Sequence, residues 1–330
     1  MKIVIPDDVT RTYTGSAEVD RLRATGTVEI HTTRAANEDE LAQRIGDADI
    51  VVSFRPAFTR FPAGVIRRCP SLRLICISGT GVEDVDVGEA TARGIAVANV
   101  VGSADQAVAE LCIALMFDVA RHVSAQDRAI RDGAWQAQEG IELGGKTLGI
   151  VGLSAIGSVV ARIGSALGMR VLSWSRNNDP ARARAVGATA ASLDEVLAQA
   201  DFLSLHLRLF PELRGFLDQT KIARMKPGAI LINTARGELV DDAALVAALS
   251  NGRLRGAGLD VFSQQPLPPD HPLRGLANVV MTPSAGWNTA DASQRMIVQS
   301  IDNVLGFVAG QPINIVNAAA LSRLAQGETP

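Results

Sequence analysis

Residues 152–157 read Gly-Leu-Ser-Ala-Ile-Gly, a glycine spacing that is typical of loops that bind a phosphate group. An apolar strand pattern over 147–151 precedes this run, and a helical pattern over 158–167 follows it. Glycine in such a turn lets the backbone approach a pyrophosphate, and the helix N-terminus presents free amides to it. Ser154 stands in place of the usual middle glycine, so an ordinary strand-to-helix turn is the competing interpretation. The cofactor-binding residues predicted here are Gly152, Ser154, Ala155, Ile156 and Gly157.

The next strand pattern ends at Ser175-Arg176, about 20 positions past the glycines, where dinucleotide-binding proteins commonly have an acidic residue. No carboxylate follows until Asp179. A serine does not repel a 2′-phosphate on the adenosine ribose, and an adjacent guanidinium can pair with that phosphate. The pair favours NADP(H) as the cofactor, and NAD(H) stays the alternative because a solvated loop of this kind tolerates either.

Length and composition limit the class of protein. A chain of 330 residues predicts two domains, and 47% hydrophobic with 20% charged residues is typical of a globular α/β protein. A net charge of −3 argues against a nucleic-acid partner. The cysteines show no metal-ligand spacing, so we expect no metal; Cys76 and Cys112 lie in apolar runs and are interpreted as buried thiols.

No segment has the pattern of a membrane anchor or a secretion signal. The N-terminus lacks the apolar stretch of a signal peptide. The longest apolar run, 107–120, contains Glu110 and Asp118 and is too short to span a bilayer. We therefore expect a cytoplasmic protein without a membrane partner.

Strand and helix patterns alternate along the chain in two series. This alternation predicts parallel sheets covered by helices on both faces, and the six strands of the second series match a full doubly wound sheet. A helical pattern returns over 291–308. The predicted strands are 2–6, 28–31, 50–54, 72–78 and 95–100, then 147–151, 171–175, 202–206, 229–233, 258–262 and 279–282.

Seven stretches carry a family resemblance. They are 79–86, 92–99, 107–110, 142–150, 225–237, 259–262 and 310–314, and they include Asn-Thr-Ala-Arg-Gly at 233–237 and Leu-Asp-Val-Phe at 259–262. In this order they resemble the D-isomer-specific 2-hydroxyacid dehydrogenases, over nearly the whole chain. The resemblance implies NAD(P)-dependent hydride transfer between a nicotinamide and a small 2-hydroxy or 2-keto acid.

The resemblance also implies a discontinuous layout of two doubly wound α/β domains. A Rossmann NAD(P)-binding domain, 102–287, would be inserted in a flavodoxin-like substrate domain formed by 1–101 and 288–330. The active site would lie in the cleft between these domains. Family members are commonly homodimers joined through the nucleotide-binding domain, so we expect the same here.

Three positions correspond to the catalytic residues of the family. Arg236 matches the arginine that binds the substrate carboxylate, and a planar guanidinium suits that role because it grips a carboxylate bidentately. Gln265, before Pro266, stands where the family has glutamate, and Ser284, after Thr-Pro, stands where it has the acid–base histidine. Serine does not supply a proton near neutral pH as histidine does, so the proton transfer must differ.

Other positions follow from the same resemblance. The amides of Thr80 and Gly81 would face the substrate carboxylate, and Arg55 would contact substrate or else be an exposed loop arginine. His206 follows a strand near the cofactor and is interpreted as structural, while His271 is a weak candidate for a substitute base. The remaining cofactor-binding predictions are Ser175, Arg176, His206, Leu207, Thr234, Ala235, Arg236, Asp260, Ser284 and Gly286.

Two functions stay open at this point. The first is an oxidoreductase whose proton is relayed by water or Ser284, or is not needed. The second is a catalytically silent NAD(P)-binding scaffold or sensor. Retention of Arg236, of the Gly-Thr-Gly run at 79–81 and of Asp260 favours the first, because a pure binding module has less use for residues that bind a carboxylate.

Overall fold

The computed structural model describes residues 1–54 and 59–325, the last three of them without side chains. The described chain forms two compact units. Unit 1 consists of Met1–Ala104 and Thr289–Pro330, and unit 2 consists of Asp105–Asn288.

Unit 1 contains a five-stranded parallel sheet in the order β2-β1-β3-β4-β5. This is the flavodoxin-like order of a doubly wound sheet. Every residue of β3, β4 and β5 is buried, as expected for strands covered by helices on both faces. The elements are β1 Lys2–Ile5, α1 Val19–Arg23, β2 Thr27–Ile30, α2 Glu38–Ile45, β3 Ile50–Phe54, α3 Ala63–Ile66, β4 Leu74–Ser78, α4 Val87–Ala92, β5 Ala96–Asn99, α12 Ala290–Val308 and α13 Ala319–Ala325.

Unit 2 contains a seven-stranded parallel sheet in the order β12-β11-β10-β9-β6-β7-β8. The order reverses between β6 and β9, and ligands bind outside the carboxyl ends of the strands at such a switch point. The elements are α5 Asp105–Arg121, α6 Val123–Arg131, β6 Thr147–Val151, α7 Ala155–Ala166, β7 Arg170–Trp174, α8 Pro180–Arg184, β8 Ala188–Ala190, α9 Leu193–Gln199, β9 Phe202–Leu205, α10 Gln219–Arg224, β10 Ala229–Asn233, α11 Asp242–Ser250, β11 Leu254–Leu259 and β12 Val279–Met281.

The fold class is confirmed, with two corrections to the strands of unit 2. The prediction of six strands missed β8, an edge strand of three residues, Ala-Thr-Ala, whose composition has little strand character. The prediction also began β11 at Gly258, whereas the strand starts at Leu254. Gly256 and Gly258 lie inside this strand because α5 packs closely on it: a Cβ at Gly258 would lie 2.9 Å from Cβ of Leu115.

Two apolar cores cover the two faces of the unit 2 sheet. One packs α5 and α7 against it, with Cys112, Met116 and Val160 fully buried. The other packs α9, α10 and α11 against the opposite face. No helix among residues 1–54 and 59–325 is long and apolar enough to cross a membrane. Helices cover both faces of the unit 2 sheet, and the candidate site lies at its strand ends.

Candidate active site

The turn between β6 and α7 requires glycine at both ends of the predicted cradle. Gly152 has φ +98°, and a Cβ there would lie 2.8 Å from the carbonyl carbon of His206. A Cβ at Gly157 would lie 2.4 Å from the carbonyl oxygen of Gly152. These two positions therefore cannot accept a side chain without moving the backbone.

Ser154 has a role that the glycine pattern did not reveal. The predicted helix began at residue 158, but α7 already begins at Ala155, with Ser154 as its N-cap. The Ser154 Oγ accepts a hydrogen bond from the amide of Gly157 at 3.2 Å. Its φ of −73° is ordinary for an L residue. The serine therefore replaces the middle glycine without strain and fixes the start of the helix.

The turn and the end of β10 have polar groups that are left for a ligand. The cap takes up only the Gly157 amide, and the amides of Ala155 and Ile156 have no partner among the described residues. The Thr234 Oγ1, at the carboxyl end of β10, is buried and also has no hydrogen-bond partner in the described part of the chain. The narrow glycine turn with its free amides fits a bound pyrophosphate. The Thr234 hydroxyl is a separate polar group at the same edge of the sheet that a ligand could satisfy.

Arg176 lies at the carboxyl end of β7, on a turn closed by a hydrogen bond from the Asn178 amide to the Ser175 carbonyl, 3.0 Å long. Its guanidinium carbon lies 5.7 Å from the centre of the Phe210 ring, a cation–π contact. The Asn178 side chain donates to the Ala191 carbonyl at 3.0 Å and holds the turn against the strand edge. Arg176 therefore projects from a fixed turn, and it forms no ion pair with any described residue.

His206 is held inside unit 2 in its neutral form. Its Nε2 lies 2.8 Å from Oγ of Ser204, which lies 3.2 Å from Sγ of Cys112. Burial lowers the pKa of His206 to about 4. The backbone of His206 lies against Gly152, but its ring points into the core. The ring is therefore no acid–base group at neutral pH.

The three predicted catalytic positions follow three neighbouring strands of one sheet. Arg236 follows β10, Gln265 follows β11 and Ser284 follows β12. Because the strands are parallel, their carboxyl ends lie at the same edge of the sheet. Gly237 allows the first two segments to touch, since a Cβ there would lie 1.9 Å from the carbonyl carbon of Phe262.

Arg236 is half-buried in extended backbone directly after this strand end. Its Nη1 donates to the carbonyl of Ala235 at 2.8 Å, and its own carbonyl accepts from the Asn233 side chain at 2.9 Å. Both hydrogen bonds use local backbone and fix the chain around the guanidinium. A guanidinium so placed is suited to a carboxylate ligand.

Asp260 organises the loop that carries Ser284. Its Oδ1 accepts from Thr282 Oγ1 at 2.6 Å and from the Ala285 amide at 2.7 Å, and its Oδ2 accepts from the Gly286 amide at 2.9 Å. Burial raises the pKa of Asp260, and these three hydrogen bonds oppose that shift. Both oxygens accept, so the side chain acts as an ionised anchor for the loop and does not donate a proton.

Ser284 and Gln265 have polar groups but no acid. Ser284 is half-buried with φ +55°, and its amide donates to the Asp260 carbonyl at 2.9 Å. Gln265 is exposed, and its Nε2 donates to the Phe262 carbonyl at 3.3 Å. This leaves a serine hydroxyl and a glutamine carbonyl oxygen as the functional groups at two of the three positions.

His271 is tied to a neighbouring element. Its Nδ1 accepts from the Leu273 amide at 3.3 Å, and its Nε2 lies 4.0 Å from Oδ2 of Asp242 at the start of α11. The same Asp242 oxygen accepts a hydrogen bond from the hydroxyl of Ser263. His271 therefore fixes the 263–271 segment, and no described contact links it to Ser284.

The predicted substrate contacts of unit 1 follow β4. The Thr80 hydroxyl donates to the Val100 carbonyl at 3.1 Å, and the Asn99 side chain donates to the Thr80 carbonyl at 2.7 Å, so Thr80 and Gly81 lie in a braced turn. Arg55 lies outside the described residues.

Sequence reasoning missed two residues that support the site. Phe210, under Arg176, lies in a loop and had no pattern to mark it. Thr282 bonds Asp260 across a separation of 22 residues. Only its position before a proline, in the Thr-Pro pair already singled out, could have drawn attention to it.

Comparison with known proteins identifies the family of the chain. Residues 113–286 match the family model for the NAD binding domain of D-isomer specific 2-hydroxyacid dehydrogenases. The chain is 35% identical over 326 residues to the hydroxypyruvate reductase of Blautia hydrogenotrophica, a match that covers 96% of this chain and 100% of that relative. It is 40% identical over 286 residues to the D-3-phosphoglycerate dehydrogenase of Mycobacterium tuberculosis, covering 86% of this chain but only 54% of that longer protein.

A solved structure of similar fold is described as an acyclic imino acid reductase (Bsp5) in complex with NADPH and D-Arg. It superposes with a TM-score of 0.86 at 30% identity, and the match covers 96% of this chain and 100% of the other. The chain therefore belongs to the D-isomer specific 2-hydroxyacid dehydrogenase family, as its motifs predicted. It is an oxidoreductase of the type that transfers hydride between a nicotinamide and a small 2-hydroxy or 2-keto acid.

Proposed function

We propose that this protein is an NADPH-dependent reductase of small carboxylic acids that are unsaturated at the carbon next to the carboxylate. The nicotinamide supplies the hydride, Arg236 binds the carboxylate, and Ser284 and Gln265 face the reducible group. The supporting observation is that these three residues follow three neighbouring parallel strands, with Gly237 and Asp260 holding the segments in place.

The choice of NADPH over NADH rests on the end of β7. Ser175 has no charge to repel a 2′-phosphate, and the Arg176 guanidinium is held over Phe210 without a carboxylate partner among the described residues. An arginine in this region accommodates the 2′-phosphate in NADP-binding proteins of this fold. The related imino acid reductase was likewise solved with NADPH.

The proposal is tested by assaying purified protein against a panel of small 2-keto acids with NADPH and with NADH, both with and without added ammonia. Oxidation of NADPH that depends on the acid supports the proposal. Cofactor binding without turnover on any acid contradicts it and supports the silent scaffold. Preferential use of NADH contradicts the assignment of Arg176 to the 2′-phosphate and leaves the rest of the proposal standing.

We propose further that two copies of unit 2 form a homodimer. Helix α6 has no buried residue, yet Val123 is 57% exposed and Ile130 is 55% exposed. Trp135, just beyond the helix, is 88% exposed. Exposed apolar side chains clustered on one segment mark an interaction surface, and a second copy of the chain would cover them.

Light scattering after size-exclusion chromatography tests the dimer. The measured mass of the wild-type protein should be twice the chain mass. The variant Ile130→Asp combined with Trp135→Ser should have the mass of a single chain. Val308→Asp, on an exposed apolar residue of unit 1, serves as the matched control. A monomeric wild type contradicts the proposal.

A further inference from the structure

Reduction of a carbonyl and reduction of an imine place different demands on an enzyme. When hydride adds to the carbon of a C=O group, the oxygen gains negative charge and needs a proton from a positioned acid. When hydride adds to a protonated imine, C=NH⁺, the nitrogen loses a positive charge and becomes a neutral amine. The second reaction needs no proton donor in the hydride step.

Among the residues that the structure describes, no hydrogen bond or ion pair joins an acid side chain to the side chain of Ser284 or Gln265 at the carboxyl edge of the unit 2 sheet. His271 lies in the segment after Gln265, but it is bound to the Leu273 amide and lies 4.0 Å from Asp242. Arg236 does not release its proton in proteins. Asp260 accepts hydrogen bonds through both oxygens, and Asp242 accepts from Ser263. The ring of His206 lies in the core and is hydrogen-bonded to Ser204, so it does not reach the strand ends as a proton donor.

We infer that the reducible group is the protonated imine that a 2-keto acid forms with ammonia or a primary amine, so that the product is an amino acid. This inference rests on the proposed function and names the substrate class of the same site. Hydride from NADPH forms the new C–H bond, and the electron pair of the C=N π bond becomes the nitrogen lone pair. NADPH is oxidised to NADP⁺, and the amine then takes a proton from water.

The side chains at 284 and 265 suit this cation. An iminium N–H is a hydrogen-bond donor, so its site needs acceptors, and the Ser284 hydroxyl and the Gln265 carbonyl oxygen are both acceptors. A protonated histidine at position 284 would instead place a second positive charge beside the iminium. Arg236 keeps the carboxylate grip, because a 2-imino acid has the same carboxylate as its parent keto acid.

The Asp260 carboxylate completes the electrostatic setting. It is anchored 2.7 Å from the Ala285 amide and 2.9 Å from the Gly286 amide, so its negative charge is fixed directly behind the loop of Ser284. A carboxylate at this place is compatible with a cationic group bound on the loop.

The experiment compares one keto acid with and without an amine that can form an imine. Purified protein and NADPH are given pyruvate, or glyoxylate, with an excess of methylamine or ammonia. Trimethylamine at the same concentration and pH is the matched control, because a tertiary amine cannot form an imine. Products are identified by mass spectrometry, with NADPH deuterated at the transferred position to follow the hydride.

We expect NADPH oxidation at least tenfold faster with methylamine than with trimethylamine, and an N-methyl amino acid that carries deuterium on its α-carbon. Equal rates in the two arms, with the hydroxy acid as product, would overturn the inference and leave the proposed function standing. No oxidation in any arm, with NADPH bound and the protein folded, would overturn both.

Discussion

The amide of Ser284 donates to the backbone carbonyl of Asp260, 2.9 Å away, and the carboxylate of the same Asp260 accepts from the next two amides of the loop. One buried aspartate thus holds the backbone on which Ser284 adopts a left-handed conformation with φ +55°. The placement of the serine hydroxyl therefore depends on the hydrogen bonds that Asp260 makes with the loop.

Asp260→Asn should destabilise unit 2 and lower any turnover. An asparagine keeps one acceptor oxygen but turns an N–H donor towards the loop amides or towards Thr282, and an unmatched buried donor costs about 1–3 kcal/mol. Urea unfolding and kcat/KM measure the two effects. Asp270→Asn, at an exposed position, is the matched control and should change neither. A fully stable Asp260→Asn protein would show that the loop does not need the carboxylate.

Ser284→His combined with Gln265→Glu should raise the reduction of a simple 2-keto acid such as glyoxylate, pyruvate or hydroxypyruvate. Histidine tolerates the left-handed backbone at position 284 better than most residues, so the replacement is sterically reasonable. A positioned acid–base group contributes roughly 10²–10⁴-fold, so even imperfect placement should give a measurable gain.

The pH profile and the single variants make this comparison specific. The double variant should show a histidine-like ionisation that the parent lacks, and Ser284→His alone should gain less because no carboxylate orients the ring. If imines are the substrates, their reduction should fall in the double variant while reduction of keto acids rises. No gain with folding and NADPH binding intact would mean that the site differs from that of the family at more than these two positions, or that the parent uses another proton donor.

Arg236→Lys should weaken turnover on the order of 10²-fold while leaving NADPH affinity nearly unchanged. Lysine keeps the positive charge but loses the two-pronged geometry that aligns a carboxylate, and misplacement of a substrate by about 1 Å has costs of this size. Steady-state kinetics and cofactor titration separate the two effects. Arg162→Lys, an exposed arginine on α7, is the control. An unchanged kcat/KM would show that Arg236 does not align the substrate.

Ser175→Asp should shift the preference from NADPH towards NADH by about tenfold or more. A carboxylate there repels the 2′-phosphate and accepts a hydrogen bond from a 2′-hydroxyl, and about 1.4 kcal/mol corresponds to a factor of ten. Dissociation constants for both cofactors, measured by fluorescence titration, give the ratio. Tighter binding of NADH than NADPH by the wild type would contradict the assignment.

His206 should make the stability of the fold depend on pH. Burial lowers its pKa from 6.5 to about 4, so between these values the unfolded state binds more protons than the folded state. Stability from this group is present above the unfolded pKa and is lost as the pH falls, by about 2 kcal/mol between about pH 7 and about pH 5.

Urea unfolding at the two pH values, compared between wild type and His206→Asn, measures this contribution. The variant should lose less stability on acidification than the wild type. An equal loss in wild type and His206→Asn would mean that the ring is not held neutral.

Local backbone needs explain what the sequence predicted about this protein. The glycines at 152 and 157 are required by a positive φ and by close backbone contacts within one turn, so their spacing between a strand pattern and a helical pattern predicted the cradle. Long apolar runs such as β6 and β10 report burial on both faces, which indicated parallel sheets. Motifs in order along the chain established the family, including the serine and the glutamine that replace its acid–base pair.

Tertiary structure decided how these residues cooperate, because parallel strands joined by helices bring distant residues to one sheet edge. Asp260 reaches Ala285 across 25 residues, and Arg176 rests on Phe210 from a different strand end, neither of which any local pattern encodes. The three-residue strand β8 forms because a neighbouring strand pairs with it, against the weak preference of Ala-Thr-Ala. The capping role of Ser154 depends on the start of α7 at Ala155, because a residue can cap a helix only where the first turn begins.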